Sequence, residues 1–214
     1  MNLTHTAFVN RSTRVEPPTI CVVASGADVC EALGSSSSSA PWQVEHYDSA
    51  EAFLASPRAL TPACVLTELR LPGLSGLDLQ RQILHRPELP VIFVSADPDV
   101  QSTVEAMKHG AFDFLTKPCP AHLLLQAVRA ALERSCVALR QLAQTQALQQ
   151  RYDSLSRRER EVMGLVVLGQ LNKQVGVVLG ISEITVKAHR GKLMRKMQAA
   201  SFADLVNMAA SLRA

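Results

Sequence analysis

The chain has 214 residues, which suits one large domain or two small ones. Apolar residues make up 47% of it, enough for a buried core. No apolar run approaches the roughly 18 residues that a membrane span needs, and no apolar segment follows the basic residues near the start. The composition therefore predicts a cytoplasmic protein that does not contact a membrane.

Five cysteines are scattered along the chain without a C-x-x-C pair. An odd count at such spacings argues against a disulfide framework or a zinc site. We therefore expect small buried cysteines in a reducing compartment, with redox sensing as the alternative.

The net charge of +3 conceals an asymmetry between the two parts of the chain. Residues 1–150 hold 11 Lys and Arg against 14 Asp and Glu, a net charge of −3, whereas residues 151–214 hold 11 against 5, a net charge of +6. A basic segment of about 60 residues behind a mildly acidic one predicts that the second part binds nucleic acid.

The first part alternates strand and helix patterns. Residues 1–18 are polar, lack periodicity and end in two prolines, so we expect a flexible tail. The predicted strands are residues 20–24, 42–47, 65–68, 91–94 and 112–115, and the helices between them are 27–33, 49–54, 77–85 and 99–109. The alternation in 42–47 is typical of a half-buried strand. Such an order predicts an α/β fold, a flavodoxin-like, doubly wound, five-stranded parallel sheet of order 2-1-3-4-5.

No proline or glycine interrupts residues 121–150, and apolar residues recur there at spacings near three, four and seven. This pattern predicts one long helix that leaves the first domain. Its apolar stripe either forms a two-stranded seam or packs on its own domain, and the sequence leaves both open.

Three polar side chains mark the ends of the later strands. Glu68 ends the third predicted strand, Ser95 ends the fourth, and Lys117 follows the fifth. Open α/β sheets place their chemistry in the crevice beyond the carboxyl ends of the strands. Glu68 therefore lies where such chemistry is expected.

The segment LRLPGLSGLDL, together with Ser95, Phe114 and Lys117-Pro118, resembles the receiver domain of response regulators over residues 19 to about 133. This resemblance implies that Ser95 binds a phosphoryl oxygen and that Phe114 is the aromatic switch position. It also implies that Lys117 is the lysine of the family and that a cis-prolyl bond follows it.

The chain departs from that family in its acidic site. The phosphoacceptor aspartate of the family is Glu68 here, and the acidic pair that holds Mg²⁺ is replaced by Ala24 and Ser25. Phosphoryl transfer depends on the oxygen-ligated metal, and the glutamate carboxylate stands one methylene too far out for aligned attack. We therefore expect no bound metal and no phosphorylation. Instead, Glu68 should form an ion pair with Lys117 and accept a hydrogen bond from the Ser95 hydroxyl.

Other interpretations of the receiver stay open. One is a receiver that is still phosphorylated through another acid, and another is an interaction protein that sequesters a partner kinase or regulator. Glu68 itself either holds the active state or is a tolerated acid in a decayed site.

The last 60 or so residues contain four helical patterns. The predicted helices are residues 157–169, 173–179, 183–197 and 202–212, capped by Ser156, Asn172, Ser182 and Ser201 respectively. Gly180 supplies a tight turn between the second and third helices, which makes a helix-turn-helix with a cationic second member. The sequence predicts an all-α, four-helix DNA-binding domain at 154–214, joined to the receiver-like domain 19–133 by a helical linker, 134–153.

The third of these helices has two chemically different faces. At about 100° per residue, Val186, Leu193 and Met197 share one face, and small and basic residues lie opposite. Such a helix suits the major groove, where we expect Lys187 to read a guanine edge and Ala188 to touch a thymine methyl. The candidate DNA contacts are Thr185, Lys187, Ala188, Arg190, Gly191, Lys192, Arg195 and Lys196. The residues among them expected to hold phosphates are Thr185, Lys192, Arg195 and Lys196.

Residues 154–212 resemble the LuxR/FixJ-type DNA-binding domain through LSRREREVM, NKQVGVVLGISEITVKAHRGKLMRKM and SFADLV. The resemblance implies that the last helix pairs two copies on a pseudo-palindromic DNA site. The residues of that helix expected at the interface are Phe202, Leu205, Val206 and Ala209. Gly176 and Val177 depart from the family, which often has small helix formers there, and a helix-interior glycine costs up to about 1 kcal/mol of stability.

These observations predict a cytoplasmic, homodimeric transcription regulator of the LuxR/FixJ response-regulator type with an atypical receiver, and not an enzyme. Its expected partners are double-stranded DNA, a second copy of the chain, and a sensor kinase or other regulatory partner. We expect no cofactor and no membrane contact.

Overall fold

The computed structural model describes residues 17–24, 42–57 and 60–212. The predicted tail up to residue 16, the predicted helix 27–33 and Ser25 therefore lie outside the described residues. The chain divides into two compact units, Met1–Leu139 and Arg140–Ala214. Each unit is considered by itself below.

Five parallel strands form the sheet of the first unit. Their bounds are β1 (Thr19–Val23), β2 (Gln43–Tyr47), β3 (Ala63–Thr67), β4 (Val91–Ser95) and β5 (Asp113–Thr116). The order across the sheet is β2-β1-β3-β4-β5, with every neighbouring pair parallel, which confirms the predicted fold and topology. Every residue of β1, β3 and β4 is buried, as central parallel strands covered on both faces require.

Strand β2 differs from its prediction. Four of its five residues, beginning with Gln43, are exposed, whereas the alternating sequence predicted a half-buried strand. β2 is an edge strand that pairs with β1 alone, as the predicted order required. Alternation in the sequence gives the period of a strand, but it does not reveal how much of its two faces other elements cover.

The described helices of the first unit are α1 (Ala50–Ala55), α2 (Gly76–Gln82), α3 (Val100–Lys108) and the start of α4 (Ala121–Asp153). Side chains of Ser49, Ser75 and Asp99 cap the first three, each by accepting from a backbone N–H three residues on. Leu124, Val128 and Leu132 of α4 pack on one face of the sheet, and α1, α2 and α3 pack on the other. Among the described helices, none combines the length and apolarity that crossing a bilayer requires.

The described cysteines follow their prediction in part. Cys21 and Cys64 are buried in β1 and β3, while Cys119 and Cys136 are partly exposed. Burial raises the pKa of the Cys64 thiol, so that it behaves as a small apolar group.

The second unit contains the end of α4 and four further helices. Their bounds are α5 (Arg157–Val166), α6 (Asn172–Leu179), α7 (Glu183–Met197) and α8 (Phe202–Ser211). Val162, Val186, Leu193 and Leu205 are fully or almost fully buried in the core that these helices share. Caps at Ser156, Ser182 and Ser201 are present at the predicted residues.

The predicted cap of α6 is wrong. Asn172 is the first residue of the helix and not its cap, and the cap position belongs to Leu171. The side-chain oxygen of Gln174 accepts from the backbone N–H of Leu171 at 2.8 Å and satisfies that end of the helix. The Asn172 side chain is consequently available for another contact, described below.

Gly176 in α6 has a packing role that its cost in helix propensity conceals. A Cβ atom added there would lie 2.7 Å from the carbonyl oxygen of Ile181, in the turn that leads to α7. That oxygen belongs to the backbone and cannot rotate away. The absence of a side chain therefore lets α6 approach the turn closely, whereas a Cβ at Gly164 in α5 would meet nothing within 4 Å.

We predict opposite effects for two helix-interior alanine substitutions. Gly164→Ala should stabilise the second unit by up to about 1 kcal/mol, since only helix propensity changes. Gly176→Ala should destabilise it by about 1–3 kcal/mol through overpacking. Hydrogen exchange of the slowest amides of α5 to α8 in the full chain measures both free energies. Equal stabilisation by the two alanines would contradict the close approach at Gly176.

Candidate functional site

The first site lies at the carboxyl ends of β3, β4 and β5. Glu68 directly follows β3, Ser95 is the last residue of β4, and Lys117 directly follows β5. Nζ of Lys117 donates to Oε1 of Glu68 at 2.6 Å, and each of these side chains is 20% exposed. The expected ion pair is therefore present, in a position where solvent screens it only partly.

Ser95 supports this pair through its main chain. The backbone N–H of Lys117 donates to the carbonyl of Ser95 at 2.8 Å, and the Lys117-Pro118 peptide bond is cis, as the resemblance implied. The predicted hydrogen bond from the Ser95 hydroxyl to Glu68 is not formed; among the described residues, the carboxylate accepts from Lys117 alone. Because the lysine supplies a charge-assisted bond, the carboxylate does not require the hydroxyl.

The ring of Phe114 lies against the core beside this site. It is stacked on the fully buried ring of Phe93, with centroids 5.8 Å apart and an interplanar angle of 18°. Phe114 is partly buried itself. Phe114, the aromatic switch residue that the resemblance implied, is thus held by stacking on a residue of β4.

Two further residues shape the loop after Glu68, and sequence reasoning missed both. A Cβ at Gly76 would lie 2.1 Å from the carbonyl oxygen of Glu68, so only glycine allows α2 to start against that backbone. Oε1 of Glu51 in α1 accepts from the N–H of Leu74 at 3.0 Å, and backbone N–H groups of Glu51 and Leu74 lower the pKa of the Glu51 carboxyl. Gly76 stands in the loop motif and was visible; Glu51 gave no sequence signal, since its partner lies 23 residues away.

The described part of this site does not fit Mg²⁺. The position of one family acid is Ala24, a buried methyl group after β1, and the other, Ser25, lies outside the described residues. Mg²⁺ prefers oxygen ligands in octahedral geometry, including carboxylates. The remaining carboxylate, Glu68, is already paired with Lys117, and no described group of three His, Cys, Asp or Glu side chains is arranged to hold a metal.

Helix α7 presents the second site. Ser182 caps it by accepting from the N–H of Thr185 at 3.1 Å, and the two hydroxyls are 2.8 Å apart. Val186, Leu193 and Met197 are fully buried. The exposed residues on the other side are Ile184, Lys187, Ala188, Gly191, Lys192 and Arg195. The helix therefore has the apolar inner face and the basic outer face that its periodicity predicted.

Two cations on this outer face have only weak contacts on their own helix. Lys187 lies 3.1 Å from the carboxylate of Glu183, and Nε of Arg195 donates to the carbonyl of Gly191 at 3.4 Å. Exposed pairs of this kind contribute little to stability. Both side chains are consequently available to an anionic partner.

Two other candidate contacts, Arg190 and Lys196, are engaged inside the unit. Nη1 of Arg190 donates to Oδ1 of Asn172 at 2.7 Å, and its guanidinium lies 5.0 Å from the centroid of the Phe202 ring. Nζ of Lys196 donates to Oε2 of Glu159 at 2.7 Å and to a backbone carbonyl. Both cations therefore have partners elsewhere in the unit, Arg190 while partly buried and Lys196 while its side chain is 40% exposed.

Glu159 is almost fully buried, with only 3% of the residue exposed. The hydrogen bond from Lys196 lowers the pKa of Glu159, and so does the bond from the N–H of Ser156, against the opposing effect of burial. Glu159 therefore stays ionised inside the unit and holds Lys196 in place.

The predicted interface residues of α8 divide into two sets. Leu205 and Ala209 are 1% and 7% exposed and pack in the core of their own unit, and their assignment to a dimer interface stays a prediction. Helix periodicity gave the apolar stripe but not the surface that it covers. Phe202 is 39% exposed and Val206 is partly exposed, and these two remain accessible.

Comparison with known proteins assigns both parts of the chain to known families. Residues 20–129 match the family model of the response regulator receiver domain, and residues 153–209 match that of bacterial regulatory proteins of the luxR family. The chain is 41% identical over 186 residues to the response regulator protein TodT of Pseudomonas putida, covering 86% of this chain and 82% of TodT. It is 42% identical over 167 residues to the transcriptional regulatory protein FixJ of Azorhizobium caulinodans, covering 78% and 79%.

A solved structure gives the same picture. The response regulator StyR superposes with a TM-score of 0.79 at 36% identity, over 91% of this chain and 98% of that one. The chain therefore belongs to the LuxR/FixJ family of response regulators, DNA-binding transcription regulators in which a receiver domain precedes a LuxR-type domain.

Proposed function

We propose that this regulator acts without aspartyl phosphorylation and that the ion pair between Glu68 and Lys117 replaces the phosphoryl switch. The observation that carries the proposal is the distance of 2.6 Å between Nζ and Oε1 in a pocket where both side chains are largely buried. In that arrangement the lysine that would meet a phosphoryl oxygen already has a permanent anionic partner.

The chemistry of the site supports the same proposal. Phosphoryl transfer needs a metal to neutralise charge and an acceptor aligned within a fraction of an ångström. Ala24 supplies no ligand atom, and the carboxylate of Glu68 is displaced by one methylene from that of an aspartate and is neutralised by Lys117. Both requirements fail at the positions where the family meets them.

The proposed consequence is a receiver held in one arrangement that leaves the DNA-binding helices free. The ion pair joins the ends of β3 and β5, and the stacking of Phe114 on Phe93 joins β5 to β4. Control would then come from the abundance of the protein, from a regulatory partner such as a sensor kinase, or from a bound molecule, and the protein itself catalyses no reaction.

We further propose how the chain meets DNA. In this proposal a cytoplasmic homodimer binds a pseudo-palindromic site, with Lys187 at a guanine edge and Ala188 against a thymine methyl. The proposed phosphate contacts are Thr185, Lys192 and Arg195, and Gly191 allows close approach.

The exposed Phe202 and Val206 of α8 are the proposed self-association surface. The proposed domains are the receiver 19–133, the helical linker 134–153 and the DNA-binding domain 154–214.

The first prediction concerns phosphorylation. After incubation with acetyl phosphate and Mg²⁺, the intact mass of the wild-type protein should not change. Glu68→Asp should also stay unmodified, because the carboxylates that hold the metal are still missing. A receiver with the full set of acids serves as the positive control. A gain of one phosphoryl mass on the wild-type receiver would refute the proposal.

The second prediction separates base contacts from phosphate contacts. Arg195→Ala should weaken binding to all duplexes and reduce the slope of log K against log[salt] by about 1 for each protomer that binds. Lys187→Ala should cost about 1–3 kcal/mol and relax specificity at one base pair. Salt titrations with selected and random duplexes measure both effects.

Arg157 is the matched control for these variants. It lies on α5, its side chain is 94% exposed, and its one salt bridge among the described residues is with Glu161. Arg157→Ala should leave DNA affinity and salt slope unchanged. A loss as large as that of Arg195→Ala would show that general positive charge, and not the outer face of α7, carries the binding.

A further inference from the structure

Helix α7 carries cations with two different roles. Lys187, Lys192 and Arg195 extend from its exposed face. Arg190 and Lys196 contact the other helices of the same unit instead. We call Arg190 and Lys196 the anchoring cations. Their contacts affect the orientation of α7 and, through it, the contacts that α7 makes with DNA bases.

Arg190 joins α7 to the beginnings of two helices. Its hydrogen bond of 2.7 Å goes to Asn172, the first residue of α6, and its guanidinium lies over the ring of Phe202, the first residue of α8. A planar guanidinium donates and stacks at the same time, which an ammonium cannot do. Arg190 is partly buried, so these contacts are shielded in part from water.

Lys196 joins the last turn of α7 to the start of α5. Its Nζ donates to Glu159 at 2.7 Å and to the backbone carbonyl of Ser154 at 3.0 Å. Oε2 of Glu159 accepts at the same time from the N–H of Ser156 at 2.8 Å. Because Glu159 is almost fully buried, loss of Lys196 would leave a buried charge unpaired, which is costly.

The two anchoring cations are six residues apart, which corresponds to about 9 Å along the helix axis. The buried face of α7 already packs in the core of the unit, and contacts at two further points restrict its rotation and tilt more closely than one contact would. Base readout requires that Lys187 and Ala188 reach their partners within hydrogen-bond or van der Waals distance.

We infer that Arg190 and Lys196 are positioning residues that set the orientation in which α7 enters the major groove, and that neither holds a phosphate. This inference rests on the proposed DNA-binding face of α7. It assigns specificity to residues that do not touch DNA, and it removes Arg190 and Lys196 from the candidate DNA contacts, of which Lys196 was also a predicted phosphate contact.

The test uses the full-length protein and a duplex that the wild type selects from a random pool, long enough for two half-sites one helical turn apart. Affinities for this duplex and for a random duplex are measured across a range of salt concentrations, well below the unfolding temperature. Arg190→Lys keeps the charge and removes the planar donor, Asn172→Ala removes the partner of Arg190, and Glu159→Gln removes the charge that holds Lys196.

Arg190→Lys and Asn172→Ala should each weaken binding to the selected duplex about tenfold, which lies within the range of about 1–3 kcal/mol that one good base contact contributes. Glu159→Gln should act in the same direction but less strongly, because the amide oxygen can still accept. Affinity for the random duplex and the salt slope should stay at wild-type values, since non-specific binding depends on phosphate contacts.

Three outcomes would overturn the inference. One is wild-type affinity for the selected duplex in Arg190→Lys and Asn172→Ala. Another is a parallel loss for both duplexes with a reduced salt slope in Arg190→Ala, which indicates a phosphate contact. The last is a lowered melting temperature with both affinities unchanged, which indicates a purely structural role.

Failure of the proposed DNA-binding face is distinguishable from these outcomes. In that case Arg195→Ala and Lys187→Ala would leave binding unchanged, and the inference would fall together with the face. If those two variants lose affinity as expected, the anchoring cations are judged on their own results.

Discussion

The proposed control of the receiver unit depends on one electrostatic contact, the ion pair between Glu68 and Lys117. Each partner is about four-fifths buried, so either charge alone would be costly to leave without the other. Their backbones are fixed independently, since Glu68 follows a fully buried strand and the N–H of Lys117 bonds to Ser95 at the end of β4. The contact therefore joins rigid strand ends and does not depend on a flexible loop.

This pair also explains how the carboxylate of Glu68 finds a partner without a metal ion. In a metal-dependent receiver, several carboxylates share the charge of one divalent ion. Here the described positions offer one carboxylate, and Lys117 neutralises it directly. Gly76 and Glu51 hold the following loop against that arrangement, one by allowing close backbone approach and the other by accepting from Leu74. Within the described residues, the site is thus a small electrostatic cluster.

The sequence predicted most of what depends on local pattern or on strand order. Caps at Ser156, Ser182 and Ser201 and the length of α7 follow from residue types that compete for backbone N–H groups. The meeting of Glu68 with Lys117 follows from the topology, because parallel strands bring their carboxyl ends to one edge.

The contacts that the sequence did not predict are those between side chains on different helices. The sequence showed that Arg190 and Lys196 lie on a basic helix, but not that Asn172 and Glu159 stand opposite them. Leu205 packs in the core of its own unit, which the sequence did not reveal, since an apolar stripe looks alike whether it covers its own core or a partner. Such contacts are long-range and leave no periodic signal.

The measurement that tests the central claim most directly is the DNA affinity of the full-length protein when the pair is broken. Glu68→Gln and Lys117→Met each remove one charge at nearly constant shape. The account predicts that both lower affinity for the selected duplex, and that acetyl phosphate with Mg²⁺ changes the affinity of neither variant nor of the wild type. Wild-type affinity in Glu68→Gln, or a rise in wild-type affinity on adding the phosphodonor, would contradict it.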